Sequence, residues 1–352
     1  MGLRPERGPD RGLSSRQQRR QHRRAFDRLC IRRFLMESSD HISLTFSDGE
    51  AMHFPPLDGQ SILTSAEKAG NVLASNCREG TCRTCMARDA NGNEVLLCIT
   101  PAQPGMALNL PYQRTDVTPP SLRRAKINAF SRVSRSVWEI RYRLQFPLPF
   151  LPGQYVEVHF PGMDAPRRFS MANPPSLKEQ VLHVRDLPGG AMSTYLNERA
   201  KPDDAFTVRG PFGVFYLRST ARPKLFVAGG TGLAPIISML LSSIDAATTP
   251  PLAVIAGFAD AEDAYALEAL LALAETLPLE VVLAADRAGG AWKGFVGNPV
   301  AALNEVRTIP LDAGTEAYLC GPPAMVNAAR GALLARNLQA TAIFNEEFVH
   351  SS

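Results

Sequence analysis

The chain has 352 residues, of which 45% are hydrophobic, and a formal net charge of +4. This length allows two or three domains, each with its own hydrophobic core. No apolar run approaches the ~20 residues of a membrane-spanning helix, so we expect no membrane span. Residues 1–35 alone carry +8, and the other 317 residues therefore sum to −4. The basic balance belongs to the amino terminus and does not indicate a nucleic-acid-binding body.

Residues 1–36 are predicted to form a disordered basic arm. The segment contains eleven arginines and no periodic apolar pattern, and an excess of charge over hydrophobicity favours disorder. Such an arm could bind nucleic acid or an anionic membrane, but it contains no base-reading motif. A start codon assigned too early is an equal alternative, and a mitochondrial presequence is a less favoured one. We expect the arm to be dispensable for the activity of the rest of the chain.

The segment after the arm begins with a pattern of two short strands and a helix. Apolar residues alternate with polar ones over 42–46, and Asp48-Gly49 predicts a hairpin turn before a second strand over 52–54. Ser61 can cap a following helix, which Gly70 ends.

Four of the six cysteines fall between residues 77 and 98. Cys77, Cys82 and Cys85 have the spacing C-x4-C-x2-C, and Cys98 can supply a fourth thiolate. Gly80 lies where a tight loop needs a residue without a Cβ. The spacing is typical of plant-type [2Fe-2S] clusters, and CREGTC followed by x-x-C resembles the cluster loop of a plant-type ferredoxin domain. Zinc is an alternative, although thiolate zinc sites usually come as two C-x2-C pairs, and disulfides are disfavoured because no secretory signal precedes the motif.

Twelve residues separate Cys85 from Cys98, and they predict a hairpin. Asn91-Gly92 is the strongest two-residue hairpin signal, since both positions must take positive φ. With that turn, each pair of facing residue numbers sums to 183, and Cys85 lies directly opposite Cys98. Facing residues have Cβ atoms ~4.5–5.5 Å apart, which two thiolates on one iron can accommodate. Arg83 stands where the resembling loops have glycine, and a left-handed backbone there would cost of order 1 kcal/mol.

After a polar, proline-containing linker over 115–120, residues 121–219 consist of short alternating runs, which predict an antiparallel barrel. The motif RRFS, residues 167–170, offers at Arg167 a cationic fork suited to paired phosphate oxygens. Gly189-Gly190 opens a short helix whose N–H groups would face a pyrophosphate, and Ser193 can cap that helix and donate to the same phosphate. Taken singly, these are a surface charge and an ordinary turn, but their joint occurrence favours a cofactor site.

Residues 222–352 alternate strands with helices, which indicates a parallel sheet covered by helices. The predicted strands are 225–228, 252–257, 279–285 and, last, 317–319. The glycine-rich turn Gly229–Gly232 follows the first strand and could cradle phosphate or could be a tight turn without a ligand. Cys320 follows the last strand, at the sheet edge where ligands of open α/β sheets bind. A lone cysteine there is most often a small core residue.

The order of these motifs resembles the reductase components of bacterial ring-hydroxylating dioxygenases, with benzoate and anthranilate dioxygenase reductases the most similar in appearance. RRFS with GGAMSTYL is the flavin pair of the ferredoxin–NAD(P) reductase superfamily, and GGTGLAP with YLCGPPAMV is its nicotinamide pair. The resemblance covers residues 36–348 and implies a multidomain α+β and α/β fold. The implied domains are a ferredoxin-like β-grasp domain over 37–115, an antiparallel flavin-binding β-barrel over 121–219 and an α/β nicotinamide-binding domain with a parallel sheet over 222–352.

The resemblance implies a cytoplasmic, NADH-dependent electron-transfer reductase. Electrons pass from NADH to FAD, then singly to the [2Fe-2S] cluster and to a terminal oxygenase or a separate ferredoxin. The implied catalytic residues are Ser170, which would hydrogen-bond the reactive nitrogen-5 of the flavin, and Cys320, which would lie beside the nicotinamide ring. The implied cluster ligands are Cys77, Cys82, Cys85 and Cys98. The residues implied to hold FAD are Arg167, Phe169, Ser170, Gly189, Gly190, Ser193 and the carboxy-terminal aromatic Phe348, and those implied to hold NADH are Gly230, Thr231, Gly232, Cys320 and Gly321.

Other functions use the same domains. The chain could be the reductase of a diiron monooxygenase, or a reductase in deoxysugar formation. A binding or regulatory protein without turnover is a third alternative, which the intact cofactor motifs argue against. A preference for NADH is expected because acids and no Arg or Lys occur over 258–263, where an adenosine 2'-phosphate would need a cation.

Overall fold

The computed structural model describes residues 40–80 and 83–348. The predicted arm over 1–36 and the predicted cluster ligand Cys82 lie outside these ranges. The described chain folds into three sheets that follow one another in the sequence. No helix in the described part has both the length and the apolar character needed to cross a bilayer.

The first sheet has five strands in the order β2-β1-β5-β3-β4. Its elements are β1 (Ile42–Thr45), β2 (Ala51–Phe54), α1 (Ile62–Lys68), β3 (Met86–Arg88), β4 (Glu94–Leu96) and β5 (Ala107–Asn109). The predicted turn between β1 and β2 is confirmed, with Gly49 at φ +88°. The Ser61 hydroxyl caps α1 by accepting a hydrogen bond from the Thr64 N–H at 3.2 Å. Because β1 pairs parallel with β5 and α1 packs into the same core, the domain has the expected β-grasp arrangement.

The second sheet has six antiparallel strands in the order β10-β7-β6-β11-β8-β9. Its elements are β6 (Ser121–Ser134), β7 (Val137–Leu144), β8 (Tyr155–His159), β9 (Arg167–Ser170), β10 (Glu179–Arg185), α2 (Ala191–Glu198) and β11 (Ala205–Phe212). A bridge between Met171 and Leu182 joins the two outer strands, so the sheet closes into the predicted barrel. Large apolar side chains fill it, and Phe160 stacks on Phe206 with 4.2 Å between ring centroids.

The third sheet has six parallel strands in the order β15-β14-β13-β12-β16-β17. Its elements are β12 (Lys224–Gly229), α3 (Leu233–Ser243), β13 (Leu252–Asp260), α4 (Leu267–Thr276), β14 (Leu279–Arg287), β15 (Phe295–Val296), β16 (Glu316–Gly321), α5 (Pro323–Leu334) and β17 (Ile343–Glu347). The four predicted strands are confirmed. The expectation that 317–319 is the last strand is wrong, because β17 pairs along β16. This edge strand contains Asn345, Glu346 and Glu347, so it lacks the apolar run by which a buried parallel strand is recognised.

The segment after β11 holds the three sheets together. Tyr216 packs into the core of the first sheet, and Phe215 packs into the core of the third. The Arg218 guanidinium lies 3.3 Å from the ring centroid of Tyr216 and 4.6 Å from that of Phe344. It also donates to the Pro111 carbonyl at 3.0 Å. The three domains therefore meet around residues 215–218.

Candidate active site and cluster loop

The predicted flavin motif lies on β9, which pairs with β8 in the barrel. Ser170 ends this strand, is 4% exposed, and lies opposite Tyr155 of β8. Phe169 is partly buried against the barrel core. Arg167 is a partly exposed residue, and its guanidinium donates to the Ala165 carbonyl at 3.1 Å. The motif therefore presents a cation at one end of the strand and a buried hydroxyl at the other.

The predicted glycine turn lies at the start of α2. Gly189 takes φ +73°, and Gly190 is the residue immediately before the helix. A Cβ on Gly190 would lie 3.2 Å from the Leu187 carbonyl oxygen, so the turn is tight. The prediction that Ser193 caps the helix is wrong, because Ser193 lies inside the first turn and its hydroxyl accepts from the Leu187 N–H at 2.7 Å. The N–H groups of that first turn have no partner within the helix, which suits an anion.

The predicted nicotinamide turns lie against each other at the carboxyl ends of β12 and β16. A Cβ on Gly232 would lie 2.2 Å from the Cys320 carbonyl oxygen, and one on Gly321 would lie 3.0 Å from the backbone of Gly229. Thr231 is half-buried between these glycines. Because a side chain on these glycines would meet backbone, the two turns pack directly on each other, while Gly230 and Thr231 keep some exposed surface.

Beside these turns, the structure brings together three predicted site residues and one residue that the sequence analysis missed. Cys320 is fully buried and lies opposite Glu346 in the pairing of β16 with β17. The Ser170 hydroxyl donates to the Glu346 carboxyl at 2.9 Å, and the Phe348 N–H donates to the Gly321 carbonyl at 2.9 Å. Glu346 was missed because β17 was not predicted. Its proximity in sequence to Phe348 was the only available signal.

Burial raises the pKa values of the two acidic side chains at this position, Cys320 and Glu346. It raises the pKa of the Cys320 thiol well above its usual value, and the nearby Glu346 adds to the effect. Glu346 keeps some exposed surface, yet burial of its carboxyl raises the pKa to about 8, against an opposing effect of the hydrogen bond from Ser170. At pH 7 the thiol and most of the carboxyl are therefore protonated.

The cluster loop holds three of the four predicted ligands within the described residues. Cys85 is 2% exposed, and Cys77 and Cys98 are half-buried. The Glu79 N–H donates to the Cys77 sulfur at 3.4 Å, as is common for a thiolate in an iron–sulfur loop. Gly80 takes φ +76°. In the described ranges, no three His, Cys, Asp or Glu side chains are arranged around a position for a single metal ion.

The predicted register of the cluster hairpin is wrong by one residue. Met86 faces Leu96 and Arg88 faces Glu94, so facing numbers sum to 182. The cause is Asp89, whose carboxylate accepts from the backbone N–H groups of residues 91 and 93, each at 2.9 Å. These bonds favour a three-residue loop in which only Gly92 takes positive φ. The Cys85 carbonyl consequently accepts from the Leu97 N–H at 3.1 Å, one residue before Cys98.

Arg83, which stands where the resembling loops have glycine, takes a left-handed conformation with φ +56°. Its guanidinium pairs with the Glu94 carboxylate of the hairpin. The same carboxylate lies 3.3 Å from a guanidinium nitrogen of Arg88. Glu94, on β4, therefore links Arg83, which follows the predicted ligand Cys82 in sequence, to Arg88 on β3.

The acids at the end of β13 are paired with arginines from elsewhere in the chain. Asp260 lies 3.4 Å from Arg287, which ends the neighbouring strand β14. Glu262 lies 2.9 Å from Arg135. The backbone N–H of Glu262, and then Arg287 and Arg135, lower the pKa of Asp260. Arg185 also lies 3.7 Å from Asp263. The observation that 258–263 contains no cation thus holds for the sequence, but the fold brings three arginines to these acids.

Three family models match the chain in the order of its sheets. They describe a 2Fe-2S iron-sulfur cluster binding domain over residues 45–103, an oxidoreductase FAD-binding domain over 124–216 and an oxidoreductase NAD-binding domain over 226–331. The reductase component DmpP of phenol 2-monooxygenase from Pseudomonas sp. (strain CF600) is 32% identical over 83% of this chain and 90% of its own length.

The chain belongs to the ferredoxin–NAD(P) reductase family. The electron transfer component of toluate 1,2-dioxygenase from Pseudomonas putida is 30% identical over 88% of this chain and 99% of its own length. Among solved structures, the Amycolatopsis cytochrome P450 reductase GcoB is 25% identical, with a TM-score of 0.69, and the match covers 88% of this chain and 100% of that one. This chain is therefore an oxidoreductase that uses NADH, FAD and a [2Fe-2S] cluster.

The residues present fit these three groups. Three of the four predicted cluster cysteines lie in the described chain, and the N–H directed at Cys77 suits an iron–sulfur cluster. The N–H groups at the start of α2 suit the pyrophosphate of FAD, and the closely packed glycine turns at the carboxyl ends of β12 and β16 suit a nucleotide. When bound, FAD would supply the hydride acceptor for NADH, and the [2Fe-2S] cluster would supply a carrier for one electron at a time. The chain holds a proton close to this chemistry, because Ser170 donates to a carboxyl that is mostly protonated at pH 7.

Proposed function

We propose that this chain delivers electrons from NADH, one at a time, to the terminal oxygenase or ferredoxin of an aromatic-ring-hydroxylating system in the cytoplasm. The observation that carries the proposal is the match along almost the full length of reductase components of such systems, among them 99% of the toluate dioxygenase component. The meeting of all three domains around residues 215–218 supports it, because electron transfer needs closely spaced cofactors.

The proposal includes the domains and site residues that are expected from the sequence. The domains would be 37–115 for the cluster, 121–219 for FAD and 222–352 for NADH, preceded by the arm over 1–36. The proposed cluster ligands are Cys77, Cys82, Cys85 and Cys98. The proposed flavin residues are Arg167, Phe169, Ser170, Gly189, Gly190, Ser193 and Phe348, and the proposed nucleotide residues are Gly230, Thr231, Gly232, Cys320 and Gly321. Ser170 and Cys320 would contact the reacting rings, and Glu346 joins them as an addition from the structure.

A monooxygenase partner is the second candidate. It is favoured by the 32% identity to the reductase component of phenol 2-monooxygenase. The two candidates differ only in the protein that receives the electrons.

A reconstitution experiment tests both candidates. The purified chain would be combined with NADH and either a ring-hydroxylating dioxygenase or a multicomponent phenol monooxygenase, and hydroxylated product would be measured against NADH consumed. We expect coupled turnover with at least one dioxygenase. The variant Cys98→Ser is the control, because it should still reduce ferricyanide through the flavin but should not support hydroxylation. Coupling only to the monooxygenase would favour the second candidate, and coupling to neither would contradict both.

A preference for NADH over NADPH is part of the proposal. Asp260 forms an ion pair with Arg287, and Arg287 is then not available to bind a 2'-phosphate. The Asp260 carboxylate can also accept a hydrogen bond from a free 2'-hydroxyl. We expect kcat/KM to be at least about tenfold higher for NADH, since one good charged contact is worth ~1.4 kcal/mol or more. Asp260→Asn should narrow this ratio, whereas Asp245→Asn, at an exposed position after α3, should leave it unchanged. Equal ratios in the two variants would contradict the assignment.

A further inference from the structure

Tyr155 lies between the flavin strand and the cluster loop. It is the first residue of β8, is 6% exposed, and faces Ser170 across the β8–β9 pairing. Side chains of directly opposite residues project to the same face of a sheet. The tyrosine ring therefore lies alongside the hydroxyl that donates to Glu346.

The ring of Tyr155 packs closely against residues 212 and 213 at the end of β11. It stacks on Phe212 with 5.7 Å between centroids and 29° between planes. At Gly213, which takes φ +97°, a Cβ would lie 3.0 Å from the tyrosine ring and 3.5 Å from a carboxyl oxygen of Glu346. The Tyr155 ring and the Glu346 carboxyl therefore both border the space that a side chain at Gly213 would fill.

The hydroxyl of Tyr155 reaches the other domain. It accepts a hydrogen bond from the Asn76 side-chain amide at 2.8 Å. It also lies 3.2 Å from the Thr84 hydroxyl, in a buried contact. Asn76 immediately precedes Cys77, and Thr84 immediately precedes Cys85. One side chain of the barrel thus contacts the neighbours of two proposed cluster ligands on opposite sides of the loop.

We propose that Tyr155 is a positioning residue that fixes the cluster loop against the flavin strand and thereby sets the rate of electron transfer between flavin and cluster. The tyrosine itself exchanges no electron and no proton in this role. The inference rests on the proposed function, since it takes Cys77 and Cys85 as cluster ligands and Ser170 as a flavin contact. It assigns to the PGQY segment a role in the contact between domains, beyond the packing of the barrel.

The variant Tyr155→Phe removes the hydroxyl and keeps the ring on Phe212. Tyr142→Phe is the matched control, because Tyr142 is a fully buried barrel tyrosine whose hydroxyl has no hydrogen-bond partner among the described residues. Thr84→Val tests the same contact from the loop side at nearly constant volume. Each variant would be made in the full chain and purified without oxygen.

The first measurement is amide hydrogen exchange over 74–80 and 83–86. Loss of a buried hydrogen bond typically weakens local structure enough to speed exchange through opening by about five- to tenfold. We expect this increase in Tyr155→Phe and, to a smaller extent, in Thr84→Val. Tyr142→Phe should exchange at the wild-type rate in these segments.

The second measurement is rapid mixing with NADH, which separates flavin reduction from the later reduction of the cluster. We expect flavin reduction to keep its wild-type rate in Tyr155→Phe, while cluster reduction slows by at least about fivefold, in step with the exchange result. Equal slowing of both steps, or unchanged exchange in Tyr155→Phe with a normal cluster signal, would overturn the inference alone. Absence of an iron–sulfur signal in the wild-type chain would overturn the proposed function and the inference with it.

Discussion

The proposed nicotinamide turns and the proposed cluster loop both contain a tightly constrained backbone, and the constraint has a different source in each. At the turns, a Cβ on Gly232 would lie 2.2 Å from the Cys320 carbonyl oxygen, so backbone packing alone forbids a side chain. At the cluster loop, Arg83 takes a left-handed backbone with its side chain in place, held by Glu94. A conformation imposed by backbone contact tolerates only glycine, whereas one imposed by side-chain contacts tolerates other residues if the partners remain.

The largest loss of stability is expected from a substitution at Gly232. Gly232→Ala forces two backbone segments apart, and overpacking of this kind costs roughly 3 kcal/mol. We expect a clearly lower thermal midpoint and loss of flavin reduction by NADH. Gly331→Ala is the control, because a Cβ there, within α5, meets nothing within 4 Å. It should be neutral or slightly stabilising, by up to about 1 kcal/mol. Wild-type stability and NADH reduction in Gly232→Ala would show that the turns can separate without cost.

The next effect concerns Glu346, which joins the turns to the flavin strand. Its pKa is about 8 in the folded chain against an ordinary value of 4.5, so the folded state binds the proton more tightly. The free energy of unfolding that this carboxyl contributes is therefore full below about pH 4.5 and falls as the pH rises to about 8. Its size should be of order 1–2 kcal/mol, less than the full shift implies, because the side chain keeps some exposed surface.

Urea unfolding at several pH values measures this contribution. Glu346→Gln cannot titrate, so the stability of wild type relative to this variant should fall between pH 5 and 8. Glu347→Gln, which removes a carboxylate from the next position of β17, is the control for a general change in charge. A constant difference between wild type and Glu346→Gln across this range would contradict the assignment.

The smallest effect is expected at Arg83, whose backbone conformation is held by side-chain contacts. Arg83→Gly removes a left-handed strain of about 1 kcal/mol together with a partly exposed ion pair worth about 0.5 kcal/mol, so the two changes nearly cancel. Arg83→Ala keeps the strain and loses the pair. We expect the glycine variant to match or exceed wild-type stability in chemical unfolding and the alanine variant to fall below it. The reverse order would show that side-chain contacts do not hold this backbone.

This contrast also explains what could be predicted from the sequence. The glycine turns, the helix cap at Ser61 and the alternating strands were predictable because each depends on local chemistry. The register of the cluster hairpin was not, because the Asp89 carboxylate overrides the local preference of Asn91-Gly92. Glu346 was missed because its strand is polar and lies at a sheet edge. The hydrogen-bonding partners of Tyr155 are separated from it by 71 and 79 positions in the sequence, and no local pattern encodes such contacts.

The proposed function depends on the transfer of electrons from NADH to a [2Fe-2S] cluster within this one chain. Anaerobic titration of the purified chain with NADH, followed by electron paramagnetic resonance at low temperature together with iron and sulfide analysis, tests it most directly. We predict two irons and two sulfides per chain and the signal of a reduced [2Fe-2S] centre that grows as the flavin absorption bleaches. A flavin that bleaches while no such signal develops, or a chain that contains zinc in place of iron, would contradict the claim.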